Sequence, residues 1–224
     1  MAAKLWFFYG AMGSSKTADA LMKRYNYHEK GMKAALLKPK LENRDGEKII
    51  RSRIGLHGEC EYVEDFLESV KENGKPPYDA VIVDEAQFLS RNQIDALSDI
   101  VDDYDIPVLC YGLRTDFQSY SFEGSARLLE IADELIETST VCWCGRKARF
   151  NARVRDGHII RDGAQVQMGG NESYVALCRR HFKQGKINRE WKNRSEFWPI
   201  FNRIWLLEFI YFTIVDKQYY YPND

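Results

Sequence analysis

Four short runs of nearly unbroken apolar residues, at positions 5–9, 34–37, 80–83 and 106–111, punctuate the first half of the chain. Runs of this length, without the in-out alternation of a half-exposed strand, are expected of strands buried on both faces. Between them the apolar positions recur with a period near 3.6. The stretch from Thr17 to about Glu29 reads as a helix stopped by Lys30-Gly31. That from Glu61 to Asn73 puts Val63, Phe66, Leu67 and Val70 on one face and ends at Asn73-Gly74, and that from Asn92 to Asp103 does the same with Ile94, Leu97, Ile100 and Val101. A further helix is predicted from Gly124 to Asp133, then a last strand around Leu135-Ile136-Glu137-Thr138. Strands alternating with helices predict right-handed crossover units and a parallel sheet, so the fold class is α/β, with a domain over residues 1–140.

The pattern changes after residue 140. Residues 142–182 show little helical periodicity but carry three cysteines and the turn signals Asp156-Gly157, Asp162-Gly163 and Gly169-Gly170. The two Asp-Gly pairs, flanked by Val154, Ile159-Ile160 and Val166, predict short hairpin strands. A lobe of residues 141–186 buries too little core to stand without a staple. Cys142-Trp143-Cys144 and Cys178-Arg179-Arg180-His181 supply one: three thiolates and an imidazole form the ligand set of a closed, structural Zn²⁺ site. A C-x-C half is less usual than C-x₂-C, and His181 without the cysteines would read as an ordinary helix histidine. Residues 187–224 form an aromatic tail of unassigned role, interrupted by Pro199, Arg203 and Glu208. The uninterrupted apolar run of about 20 residues that spans a bilayer is absent, and the segment is read as docking on this chain or a neighbouring copy ahead of lying on a membrane surface.

Chemistry enters at the first strand. Gly10-Ala11-Met12-Gly13-Ser14-Ser15-Lys16-Thr17 follows Leu5-Trp6-Phe7-Phe8-Tyr9 directly and leads into the first helix. A loop of small residues there turns its N–H groups onto a polyphosphate, and the helix adds its positive end. Lys16 is placed to reach the β- and γ-phosphates, and Thr17 to put a hydroxyl on Mg²⁺. Ser15 stands where the pattern G-x-x-x-x-G-K-[ST] has glycine, so its Cβ restricts positive φ. The third buried run ends in Asp84-Glu85, and acids at a strand's C-terminal tip face the crevice in which open α/β sheets bind ligands. Asp84 complements Thr17 around Mg²⁺, while Glu85, pointing the other way, is free to act as a general base on a substrate hydroxyl. The plainer reading is that the two acids only begin the next helix, with Asp84 or Ser90 as its cap.

Composition narrows the classes. In 224 residues, 32 Lys and Arg face 33 Asp and Glu, a net charge of -1, and so near-neutral a balance argues against nucleic-acid binding and for small-molecule partners. The N-terminus lacks the features of a signal peptide, and five cysteines, an odd count, argue against a disulfide framework. Cytoplasmic residence is the expectation, with Cys60 and Cys110 as isolated thiols.

Taken together, these segments resemble the type II thymidine kinase family, which pairs a RecA-like P-loop domain with a zinc-bearing lasso domain. The resemblance is carried by the residue 10–17 loop, Asp84-Glu85-Ala86-Gln87-Phe88, Tyr111-Gly112-Leu113-Arg114-Thr115-Asp116-Phe117, Cys142-Trp143-Cys144-Gly145-Arg146-Lys147-Ala148, Gly169-Gly170-Asn171-Glu172-Ser173-Tyr174 and Cys178-Arg179-Arg180-His181. It implies transfer of the ATP γ-phosphoryl group to the 5′-hydroxyl of thymidine, in deoxynucleotide salvage, with Glu85 as the base. It further implies that the residues from Gly10 to Thr17 and from Asp84 to Gln87 hold ATP, and that Met12, Phe88, Leu113, Phe117 and Tyr174 line the nucleoside pocket. Backbone groups from Gln167 and Met168 to Gly169 and Gly170 would bond the thymine, and Arg44 would lie near the phosphates. Glu42 stands where the family usually has Asp, and Asn151 where it often has Thr. A homotetramer inhibited by dTTP is implied as well. Two other classes stay open on the residues alone: an ATP-hydrolysing motor or switch in which Glu85 orients water, and a non-catalytic nucleotide-binding zinc module.

Overall fold

The computed structural model describes residues 2–42, 46–165 and 173–187. Strand β1 (Leu5–Gly10) leads through the glycine- and serine-rich loop into helix α1 (Lys16–Glu29), then β2 (Ala34–Lys38), a small antiparallel pair β3 (Ile49–Arg51) and β4 (His57–Glu59), the two-residue β5 (Glu61–Tyr62) and α2 (Val63–Asn73). There follow β6 (Ala80–Val83), a 3-10 turn over Ala86–Phe88, α3 (Arg91–Tyr104), β7 (Val108–Leu113), α4 (Glu123–Ile131) and β8 (Glu134–Glu137). Six of these strands make one sheet in the order β5-β2-β6-β7-β1-β8, every pair parallel. All C-terminal tips therefore open on one edge, where such sheets bind ligands.

The strands read from the apolar runs form as expected because both faces of the sheet are covered. Phe7, Leu37, Val81, Val83 and Cys110 pack with Phe66 of α2, Ile94, Leu97 and Ile100 of α3 and Leu128 of α4. Their neighbours Phe8, Leu36, Ile82, Leu109 and Tyr111 pack on the other face with Ala20 and Leu21 of α1. The predicted apolar faces of the helices are thus the buried ones. Most boundaries shift by a residue or two, and some of the differences have a plain physical reason. Glu61 and Tyr62 begin no helix but pair with β2, since the edge of the sheet offers them backbone partners. Strand β7 starts at Val108 because Pro107 has no N–H to give a ladder. Ser90, not Asp84, caps the next helix, in a capping box with Gln93.

Beyond β8 lie β9 (Thr140–Val141) pairing with β10 (Lys147–Ala148), and an antiparallel sheet of β11 (Phe150–Arg155) between β12 (His158–Ile160) and β13 (Ser173–Leu177), closed by α5 (Arg179–Gln184). The hairpin β11–β12 turns at Asp156-Gly157, with φ of 50° and 77° as a type I′ turn requires. Asp162-Gly163 makes only a bend after β12, and Val166 lies outside the described residues. Residues 1–186 form one compact unit and 187–224 another, of which only Ile187 is described. The aromatic tail therefore lies outside the described residues, and no helix among those described is long and apolar enough to cross a membrane.

Candidate active site

The tips of β1, β2, β6 and β7 surround a cavity of about 530 Å³, within the usual range for a small-molecule site. Gly10 ends β1 beneath Thr138, and a Cβ there would lie 2.4 Å from the Thr138 carbonyl oxygen and 2.6 Å from its hydroxyl, so only glycine lets the loop turn at that height. Thr138 Oγ1 in turn meets Ser14 Oγ at 3.0 Å. Ser15 adopts φ 60°, ψ 20°, the left-handed conformation that the missing glycine would have taken at less cost. Lys16 donates to the Ala11 carbonyl at 3.0 Å and to Ser14 Oγ at 3.2 Å. Burial pulls its ammonium below the usual lysine range, and the carboxylates of Glu85 and Asp84 work against that shift.

Strand β6 delivers the acids. Asp84 is 4% exposed and accepts a hydrogen bond from Thr17. Burial, with Glu85 beside it, pushes its carboxyl up to about 7. The expectation that Glu85 would point away from Asp84 needs correcting: the strand stops at Val83 and Glu85 takes φ 53°, so both carboxylates line the same cavity. A non-glycine residue in that conformation costs about 1–3 kcal/mol and persists only where its surroundings enforce it. Gln87 is the enforcing group. Its Nε2 donates to the Glu85 carboxylate, and its Oε1 accepts the Leu113 N–H at 3.0 Å. Gly112 makes room for this, since a Cβ there would sit 2.9 Å from Gln87 Oε1. Gln87 is 1% exposed and spends its amide on protein groups. It also lines the cavity, where the sequence placed it beside the phosphates.

Of the residues expected at the site, Met12, Gly13, Ser14, Ser15, Lys16 and Thr17 line the cavity from the loop, and Glu42, Asp84, Glu85, Gln87, Phe88, Leu113, Phe117, Asn151 and Tyr174 from elsewhere. Gly10, Ala11 and Ala86 lie behind that wall. Arg44, Gln167, Met168, Gly169 and Gly170 fall outside the described residues. Glu42 is buried 3.7 Å from the Lys38 ammonium, which also donates to the carbonyls of Gly46 and Ile49. Asn151 accepts the Met12 N–H at 2.8 Å and donates to the Thr115 carbonyl at 3.0 Å, tying β11 to two of the loops around the cavity. Sequence reasoning missed Arg53, which lines the cavity beside Gly13 and Lys16, and Phe122, whose ring meets that of Phe88 edge-on at 5.7 Å. Arg53 sits between β3 and β4, a hairpin whose strands carry no alternation to announce it.

The second cluster is metal-like. The ligand atoms of Cys142, Cys144, Cys178 and His181 all lie within 4.8 Å of one another. Sulfur to imidazole Nδ1 is 3.4 Å from Cys142 and 3.6 Å from Cys178, and the Cys144 and Cys178 sulfurs are 3.9 Å apart. Zinc–ligand bonds of about 2.0–2.3 Å at tetrahedral angles give edges of roughly this length, so the donor set fits Zn²⁺. Cys178 caps α5 and His181 is three residues on, a spacing that stacks both donors at the start of the helix. The backbone N–H of His181 holds the Cys178 thiol below its ordinary range, as thiolate ligation needs. Trp143 lies flat on the His181 ring at 4.2 Å and fixes its plane.

The thymidine kinase family model matches residues 3–182. The chain belongs to the thymidine kinase family. Among relatives in that family, a thymidine kinase of Novosphingobium aromaticivorans is 49% identical over 187 residues, covering 81% of this chain and 97% of the relative. One from Rhodopirellula baltica is 48% identical over 192 residues, covering 84% and 91%, and one from Pasteurella multocida is 45% identical over 187, covering 81% and 97%. The family match includes both the cavity and the Cys/His cluster and stops before the aromatic tail. Membership agrees with the expected α/β fold and makes the chain a kinase that uses ATP.

Proposed function

We propose that this chain transfers the γ-phosphoryl group of ATP to the 5′-hydroxyl of thymidine, giving dTMP and ADP. The observation that carries the site assignment is the convergence, on one cavity, of Lys16, Thr17 and Asp84 with Glu85 and the aromatic wall of Phe88, Phe117 and Tyr174. Lys16 and the loop N–H groups take the β- and γ-phosphates. Thr17 and the buried Asp84 beside it suit Mg²⁺, which would neutralise charge on the triphosphate. The 5′-oxygen attacks the γ-phosphorus and the bond to the β-γ bridging oxygen breaks, ADP leaving with its electrons. Glu85 accepts the hydroxyl proton as the new P–O bond forms. Gln87 holds Glu85 in the required conformation.

Met12, Leu113 and the aromatic rings suit a flat pyrimidine. Arg44 and the backbone from Gln167 to Gly170 complete the site in this reading. The zinc cluster ties together residues 141–186, the lobe that covers the nucleoside and excludes water, while residues 1–140 hold ATP. A cytoplasmic homotetramer with dTTP as feedback inhibitor completes the proposal, and the tail keeps no assigned role. The decisive assay incubates the protein with Mg-ATP and each deoxynucleoside and reads the monophosphate by mass. dTMP as the main product supports the proposal. ADP formed equally without nucleoside points to an ATPase and refutes it.

A further inference from the structure

Arg153 on β11 is 1% exposed, an unusual place for an arginine. Its guanidinium carbon lies 3.6 Å from the centre of the Phe117 ring and 5.5 Å from that of Tyr174. Nε donates to the Tyr174 hydroxyl at 2.8 Å, and Nη2 to the carbonyls of Ala164 at 3.0 Å and Gln165 at 3.3 Å. Gln165 in turn donates to Asp116 at 2.9 Å. Phe117, Tyr174 and Gln165 line the cavity, whereas Arg153 stands behind them.

We propose that Arg153 is the positioning residue that sets the spacing of the aromatic walls, and through it the affinity for the nucleoside. The inference rests on the reading that Phe117 and Tyr174 grip the base. Phe117 comes from the loop after β7 and Tyr174 from β13 in the other lobe, so their separation is fixed by no single element. A planar guanidinium joins them, because it stacks on one ring while its fork of donors reaches the other and two carbonyls. Lysine carries the same charge but neither stacks flat nor forks. Burying the guanidinium is costly unless its donors are used, so the brace holds as a unit: displacing Tyr174 or the 164–165 segment leaves a donor unmet, and displacing Phe117 removes the ring face on which the cation stacks.

The test measures steady-state kinetics for thymidine and for Mg-ATP separately, with zinc content and Tm, in the full chain carrying Arg153→Lys or Tyr174→Phe. Each substitution is expected to raise KM for thymidine roughly tenfold, the usual effect of losing a hydrogen bond to a charged group. KM for ATP and kcat should stay within about twofold, and zinc content should be unchanged. The double variant should be no worse than Arg153→Lys, because the two remove one shared bond. Thymidine KM values unmoved in both, or KM for both substrates rising together with loss of zinc, would overturn the proposal. Phe117→Leu separates the two layers: if it leaves thymidine KM unchanged, the aromatic grip itself fails. If it raises KM while both brace substitutions do not, only the brace fails.

Discussion

Ser15 shows how one residue constrains the nucleotide loop. Its φ of 60° is the conformation glycine takes freely, and the Cβ makes it cost about 1 kcal/mol or more. Ser15→Gly is therefore expected to lower KM for ATP by several-fold without lowering Tm. Steady-state titration of ATP with a thermal melt checks both, and an unchanged or higher KM counts against strain in the loop. The sequence disclosed the position but not the geometry. The same holds for Glu85. Its identity was legible from the acids ending an apolar run, yet the left-handed turn that brings it beside Asp84 was not, because it depends on Gln87 and on the space above Gly112. Gln87→Ala should cut kcat by roughly tenfold to a hundredfold and leave KM for ATP nearly unchanged. Restoration by Gln87→Asn is not expected, since the shorter amide cannot span Glu85 and Leu113. An unaltered kcat would remove Gln87 from the account.

At the level of elements, strands buried on two faces announced themselves, since Ala80–Val83 and Ala34–Lys38 admit no polar residue before their last position. Strands β3, β4 and β5 did not. They are two or three residues long, lie at an edge, and owe their existence to partners distant in sequence, as Ile49 pairs with Glu59 and Leu37 with Glu61. That is why Arg53 went unread. In the small lobe the four zinc donors were legible by residue type, while Trp143 stacking on His181 was not. Burial raises the thiols of Cys60 to about 11 and Cys110 to about 12, so both stay protonated at any ordinary pH. Alkylation with iodoacetamide at about pH 8 should label neither in the folded protein. After metal chelation, Cys142, Cys144 and Cys178 should be labelled and activity lost. Mass spectrometry locates the adducts, and full activity after verified loss of metal would contradict the role given to the lobe.

Across the whole molecule, a parallel sheet with every C-terminal tip on one edge turns four separate loops into one site. The α/β order fixed that edge from the sequence alone. How the second lobe meets it was hidden, because the contacts that join them, among them Asn151 to Met12 and Thr115, Gln118 to Arg161, Gln165 to Asp116 and Arg153 on the Phe117 ring, are isolated pairs with no sequence pattern. The central claim is that Glu85 takes a proton from the hydroxyl while Lys16 and its loop hold the triphosphate. Single-turnover transfer of the γ-phosphoryl group to thymidine by Glu85→Gln, with thymidine binding measured in parallel, tests it most directly. The account predicts transfer slowed on the order of 10²-fold or more with binding retained; transfer at the unaltered rate would contradict it.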